Sequence, residues 1–226
     1  MQRDLSIQQI KETTLWDVVV IGGGATGLGI ALDCTTRGLK TLLVEKNDFS
    51  SGTSSKSTKL IHGGVRYLKQ LNFKLVYEAI KERKLFLDNL KGLSSVLPFV
   101  IPVYSTWEKY FLILGLKLYE FLSFGSNIGK TRLISKKETI SMLPFVNQDK
   151  LKGGVVYFDG QFNDSQICVD LAITATAHGA TIINYCGVTD LLKSPTGKVT
   201  GVTCYDSIHN STYTINSRVV ISATGV

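Results

Sequence analysis

Three glycines, Gly22, Gly24 and Gly27, stand in the order GxGxxG between an apolar run from Trp16 to Ile21 (WDVVVI) and a stretch of small and apolar residues from Ala25 to Arg37. That spacing suits the binding of a dinucleotide pyrophosphate. The first glycine permits a tight turn, the second lets backbone N–H groups approach the phosphates, and the third lets helix and strand pack closely. The positive N-terminus of the helix then faces the anion. Glu45 follows a second apolar run, Thr41 to Val44, and can accept hydrogen bonds from a ribose 2′-hydroxyl, which argues against NADP. A glycine turn alone could be purely structural, but strand, helix, second strand and acid in this order favour dinucleotide binding. The motif by itself does not separate FAD from NAD.

These residues need a particular scaffold. WDVVVI is short, β-branched and apolar, as in a strand buried on both faces. Apolar residues recur at helical spacing from Ala25 to Arg37, Gly38 offers a stop, and Thr41 to Val44 is a second buried strand, completing a βαβ unit. Asp48 to Thr58 (DFSSGTSSKST) is rich in Ser, Thr and Gly and reads either as a loop against a polar ligand or as a solvated linker, its length favouring the former. Leu75 to Leu90 has the pattern of an amphipathic helix. Tyr110 to Phe124 is denser in apolar residues, yet Lys117 and Glu120 interrupt it and it is too short to span a bilayer. Two readings stay open there: a core helix, or a face against a membrane surface with Trp107, Tyr110 and Tyr119 at the interface. After Gly153 the pattern predicts strands at GGVVYFDG, Thr181 to Leu192, Val199 to Tyr205, Ser211 to Ile215 and Arg218 to Ser222, with a helix over Ser165 to Ala177.

Composition narrows the class. The 226 residues are 44% hydrophobic and 19% charged, enough for a sizeable core. A net charge of +7 favours anionic partners. Acids interrupt the basic residues, as in Lys81, Glu82, Arg83 and Lys84, so nucleic acid is not expected; that run reads as a solvated helix face. Cys34, Cys168, Cys186 and Cys204 lie far apart without a CxxC pair or ligand spacing, so reduced, mostly buried thiols and no metal are expected. The N-terminus is polar and lacks a signal or transit pattern, which predicts a start in a reducing compartment. His178 and His209 sit in polar contexts and are assigned to surface or packing. The stop at Val226, just after a strand, reads as a fragment.

Beyond the glycine motif, the run STKLIHGGVRYL (Ser57 to Leu68) and the SSGTSSKS before it resemble the flavin-side signature of the FAD-dependent glycerol-3-phosphate dehydrogenases. The likeness continues through VIGGGATG, TRGLKTLLVEKNDF, IPVY, LKLYEF and YFDGQFND, nearly the whole chain. It implies an α/β fold: a Rossmann-like FAD-binding domain of the glutathione-reductase and D-amino-acid-oxidase type with an inserted, partial substrate (cap) domain. On that likeness residues 1–15 are an N-terminal extension, 16–90 the FAD-binding βαβ and flavin loop, 91–160 the cap segment, and 161–226 the return to the FAD domain. It also implies a membrane-associated enzyme that oxidises sn-glycerol 3-phosphate to dihydroxyacetone phosphate by hydride transfer to flavin N5 and passes electrons to quinone. The setting would be the cytoplasmic face of a bacterial inner membrane or the mitochondrial inner membrane, and family members are about twice this long.

Residue by residue, the likeness gives the ADP half of FAD to Asp17 through Glu45, including Gly22, Gly23, Gly24, Ala25, Thr26 and Gly27, with Lys46 beside them. Ser54, Ser55 and Thr58 would lie near the flavin half, and Ala223, Thr224 and Gly225 form the last FAD-contacting turn. Strand backbone around Val188 contacts adenine in related flavoproteins. Arg66 and Tyr67 match the family's substrate-pocket pair, and a guanidinium suits an anionic substrate, although Arg66 alone would read as a surface ion pair. His62 either accepts a proton during oxidation or holds the loop backbone. Asp159, Asn163 and Asp164 would shape a pocket edge, or Asp159 and Gly160 a turn. The chain departs from the family at Ser165 and Gln166, where Ala-Arg is common, at Ser222 in place of Asn, and at Val226 in place of Pro. Two other readings share the glycine motif: a non-catalytic FAD-binding module, and an amine or amino-acid oxidase, which would not be expected to carry HGGVRYL.

Overall fold

The computed structural model describes residues 2–62, 72–123 and 127–225, so Arg66 and Tyr67 lie outside the described residues. The chain divides into two units, one made of residues 1–58 and 164–226, the other of residues 59–163. This differs from the expected boundaries near 90 and 160, and the helix Phe73–Asn89 (α3) belongs to the second unit. Its side chains account for that: Val76 and Ile80 are buried, and Arg83 is bonded to residues of the second unit.

The first unit is built on the βαβ motif, β1 (Trp16–Ile21), α2 (Ala25–Thr36) and β2 (Thr41–Val44), preceded by α1 (Arg3–Glu12). The chain returns with α6 (Asp164–Ala177), β7 (Thr181–Ile183), β8 (Cys186–Lys193), β9 (Val199–Asp206) and β10 (Ser211–Ser222). One sheet of six strands results, in the order β7-β2-β1-β10-β9-β8, parallel from β7 to β10 and antiparallel beyond. Residues of β1 feed two cores. Val18 and Val20 pack with Leu28 and Ala31 of α2 and Cys168 and Ala172 of α6, while Trp16 and Val19 pack with Ile7 and Ile10 of α1. Covering on both faces is what permits an unbroken apolar strand. Thr181 to Leu192, read as alternating strands, contains a break at Asn184 and Tyr185, the latter at φ 51°.

The polar N-terminus is an ordered helix, because only Ile7 and Ile10 need to face inward. Arg3 donates to the Asn184 carbonyl at 2.6 Å and to Asp206, and the Ser6 hydroxyl donates to the Ile182 carbonyl at 3.1 Å. His209, assigned by the sequence to surface or packing, pairs through Nδ1 with Asp206 at 2.9 Å. Burial pushes the Asp206 carboxyl up, but bonds from His209, the Ile208 N–H and Arg3 outweigh it and hold it below its ordinary value. A carboxyl with a depressed folded pKa contributes stability above its unfolded value, near 3.9, and loses that contribution as pH falls through the lower folded value. Amide-exchange protection in α1, corrected for the intrinsic exchange rate, is therefore expected to fall below about pH 3.9, and Asp206→Asn to remove that pH dependence.

In the second unit, β6 (Gly153–Phe162) pairs along its length with β4 (Ser94–Val103) on one side and with β3 (Leu60–Ile61) and β5 (Arg132–Ile134) on the other. α3, α4 (Thr106–Leu122) and the short α5 (Lys136–Met142) complete it. Pro98 and Pro102 stand within β4, which tolerates them as an edge strand. Asp159 and Gly160 do not form a turn; both lie inside β6. Asp159 is buried, its Oδ1 accepting from Arg83 Nη1 at 2.6 Å and from the Tyr119 hydroxyl at 3.1 Å, and the same Arg83 nitrogen donates to Tyr119 at 2.8 Å. This group ties α3, α4 and β6 together. A buried charge left alone costs about 3–5 kcal/mol. Arg83→Met should destabilise the protein by about that much in denaturant titration, and Arg83→Met with Asp159→Leu by clearly less than the two single changes summed.

Candidate functional site

At the C-terminal ends of β1, β2 and β10 the first unit holds a cavity of about 610 Å³, within the range of about 300–1,000 Å³ usual for small-molecule sites. The glycines make its floor. Gly22 has φ 115°, and a Cβ there would stand 2.4 Å from the Ala223 carbonyl oxygen, so the turn between β1 and β10 is closed to any side chain. At Gly27 a Cβ would meet the Gly22 carbonyl oxygen at 1.9 Å, which sets how near α2 lies to β1. Gly24 is the N-cap of α2 and meets only the Ser54 hydroxyl, at 3.0 Å. Gly23 is needed as well, since its Cβ would fall 2.9 Å from that of Glu45.

The first turn of α2 contains no acidic residue and Gly24 brings no side-chain cap, so helix N–H groups and the dipole face the cavity without a resident carboxylate. One of them is engaged: Ala25 N donates to Ser54 Oγ at 3.0 Å. Glu45 lines the cavity and does more than the sequence suggests. Its Oε2 accepts from Gly23 N at 2.6 Å and its Oε1 from Asn47 N at 2.7 Å, clamping the glycine turn to the chain after β2. A carboxylate has about four acceptor positions, so two remain for ribose hydroxyls. A ring of glycine amides, an unacidified helix start and an acceptor carboxylate at the end of β2 fit an adenosine diphosphate moiety.

Of the expected cofactor residues, Gly22, Gly24, Thr26, Glu45, Lys46, Ser54, Val188, Ala223, Thr224 and Gly225 line this cavity. Val188 is brought there because Cys186 N donates to the Glu45 carbonyl at 2.8 Å and Gly187 lets β8 approach Lys46. Gly23, Ala25 and Gly27 are not among the lining residues. Asp17 is a correction: it lies at the opposite end of β1, about 13 Å away by strand rise. There it accepts from Lys40 N at 2.9 Å and pairs with Arg218 at 3.1 Å, so it joins strand starts and does not reach the cavity. Ser55 and Thr58 also fall outside the lining, and Ser57 is bonded to Asp164 at 2.7 Å. Asp159 lies inside β6, Asn163 follows that strand, and Asp164 opens α6.

Asn47, Ser50, Ser51, Gly52 and Thr53 also line the cavity and were not singled out in the sequence. The loop was recognisable from composition; what could have fixed its register is the φ of 62° at Ser50, which reverses the chain while Ser50 N donates to the Gly23 carbonyl at 3.0 Å. Burial raises the Cys168 thiol beneath this loop, so it stays protonated; all four cysteines are free. Among the described residues no group of His, Cys, Asp or Glu is arranged to hold a metal. His62 follows β3 in the second unit and is exposed.

Residues 17–226 match the family of FAD dependent oxidoreductases, and the chain belongs to it. The cofactor of the class is FAD. Within it, the chain is 47% identical to the mitochondrial glycerol-3-phosphate dehydrogenase of Saccharomyces cerevisiae, over 99% of this chain and 36% of that protein. It is 42% identical to the Homo sapiens protein of the same name, over 99% of this chain and 32% of the relative. Among solved structures, the glycerol-3-phosphate dehydrogenase from Bacillus halodurans complexed with FAD superposes with a TM-score of 0.75 at 32% identity, covering 99% of this chain and 36% of that one. An L-proline dehydrogenase from P. horikoshii, at 20% identity and a TM-score of 0.66, covers 93% of this chain and 53% of its own; that likeness shows the fold alone. The chain thus spans about a third of the curated relatives, which run to about three times its length and not twice.

Glu45→Ala is expected to weaken FAD binding by about 1–3 kcal/mol, roughly 5- to 150-fold in Kd, measured by quenching of flavin fluorescence. An unchanged Kd would contradict the placement of the cofactor in this cavity.

Proposed function

We propose that the chain is the FAD-binding part of a glycerol-3-phosphate dehydrogenase that oxidises sn-glycerol 3-phosphate to dihydroxyacetone phosphate. The observation that carries this reading is the dinucleotide cradle of Gly22, Gly24, Gly27 and Glu45 in a chain 47% identical to a glycerol-3-phosphate dehydrogenase over 99% of its length. FAD bound there supplies a two-electron acceptor for oxidation of the substrate's secondary alcohol. The chain's own work is to neutralise the cofactor diphosphate with glycine-turn amides and the start of α2, and to fix a ribose through Glu45. Arg66, with Tyr67, binds the anionic substrate through its guanidinium, and His62 is the candidate to orient it or take its hydroxyl proton.

A quinone is the proposed electron acceptor, and a membrane surface the proposed place of work. The names of the Saccharomyces cerevisiae and Homo sapiens relatives support a mitochondrial setting. An amine or amino-acid oxidase is less well supported, because the resemblance of the Ser57 to Leu68 run is to glycerol-3-phosphate dehydrogenases.

The test is an anaerobic titration of the full-length flavoprotein. Glycerol 3-phosphate is expected to bleach the flavin band, and D-alanine and sarcosine to leave it; bleaching by the amines alone refutes the reading. Arg66→Ala should raise KM for glycerol 3-phosphate far more than it weakens FAD binding, whereas equal loss of both would make Arg66 a structural residue.

A further inference from the structure

Glu45 is held by its backbone as well as by its side chain. Its N–H donates to the Ile183 carbonyl at 2.9 Å, and its own carbonyl accepts from Cys186 N at 2.8 Å. Ile183 ends β7 and Cys186 begins β8, so the connector Asn184–Tyr185 lies between the two bonds. That connector also grips the chain just after Glu45. Tyr185 N donates to the Asn47 carbonyl at 3.0 Å, and Asn184 Nδ2 donates to Asp48 Oδ1 at 3.0 Å. Residues 183 to 186 therefore bear directly on residues 45 to 48, of which Glu45, Lys46 and Asn47 line the cofactor cavity.

The connector in turn is held from outside. It belongs to neither strand, and Tyr185 stands at φ 51°, a left-handed conformation that a side chain disfavours. The Tyr185 carbonyl accepts from Ser207 N at 3.0 Å and from Ser207 Oγ at 3.1 Å. Asn184 is fixed by Arg3 of α1, whose Nη1 donates to its carbonyl at 2.6 Å and to its Oδ1 at 3.3 Å, while Nη2 pairs with Asp206. Asp206 is buried and accepts as well from Ile208 N, and its other oxygen pairs with His209, so it is a fixed post. One guanidinium thus ties the connector to the end of β9. A planar fork with separate nitrogens can hold both partners at once, whereas a lysine ammonium is a single point charge.

We propose that Arg3 is a positioning residue for the cofactor site: by pinning Asn184 to Asp206, it sets where Glu45 presents its carboxylate to the FAD ribose. The inference rests on the placement of FAD in the cavity of the first unit. Arg3, Asn184 and Asp206 do not line that cavity, so their effect on FAD passes through the connector.

The experiment is a double-mutant cycle in the full-length protein, with Kd for FAD read by quenching of flavin fluorescence. Arg3→Lys keeps a cation beside Asp206 and gives up the grip on Asn184. It is expected to raise Kd about threefold to tenfold. In the Glu45→Ala background the same change should move Kd by less than about twofold, because the residue through which it acts is gone. Amide-exchange protection of α1 should be retained in Arg3→Lys. An unchanged Kd in Arg3→Lys overturns the proposal, and so does an equal loss in both backgrounds, which would make Arg3 a support of the whole unit. Loss of α1 protection together with FAD affinity also overturns it, assigning Arg3 to the docking of the helix. If Glu45→Ala alone leaves Kd unchanged, the placement of FAD fails and the inference falls with it, an outcome distinct from the other three.

Discussion

A methyl group at position 27 would sit 1.9 Å from the carbonyl oxygen of Gly22. The cofactor cradle depends on that absent methyl. With hydrogen alone at Gly27, α2 lies directly against the end of β1, and its first N–H groups stand beside the turn where β1 and β10 finish. If the helix moved outward by even one side-chain radius, the amides would no longer converge, and Glu45 could not bond Gly23 while lining the same space. The buried strands β1 and β2 hold the turn rigid, because their apolar side chains are covered on both faces and have no room to shift. Packing and binding here have one geometric cause.

This explains why the first unit was so readable. A strand buried on both sides must be apolar throughout, a helix that touches it must open with small residues, and the acid must close the next strand; each requirement leaves a mark in Trp16 to Glu45 that does not depend on distant chain. Asp17 is the instructive miss. Its type and position suited the pattern, but a strand has two ends, and sequence proximity to the glycines put it at the wrong one. The loop from Asp48 to Thr58 was recognisable as a loop, whereas its lining residues depended on the backbone reversal at Ser50, which a serine does not advertise.

The second unit was less legible for physical reasons as well. Asp159 and Gly160 look like a turn in isolation, and Arg83, 76 residues away in sequence, together with the Tyr119 hydroxyl makes the aspartate tolerable inside a strand. β4 was hidden by Pro98 and Pro102, residues that a central strand would exclude and an edge strand accepts. Pairing across such distances is set by tertiary context, and local propensity carries little of it. What this part is proposed to do rests on the resemblance to glycerol-3-phosphate dehydrogenases.

β10 carries a consequence for how the protein is made. Its first half forms a local antiparallel meander with β9, while its second half pairs with β1, joining Ser217 to Trp16 across the chain. On a ribosome, β1 emerges early and has β2 as a neighbour almost at once, yet its other hydrogen-bonding edge stays open until Ser222 has been synthesised. An apolar strand with one bare edge is a template for wrong partners, and non-local closure of this kind is slow. Closure of that edge therefore waits on the pairing of Val18 with Val219, residues far apart in the chain.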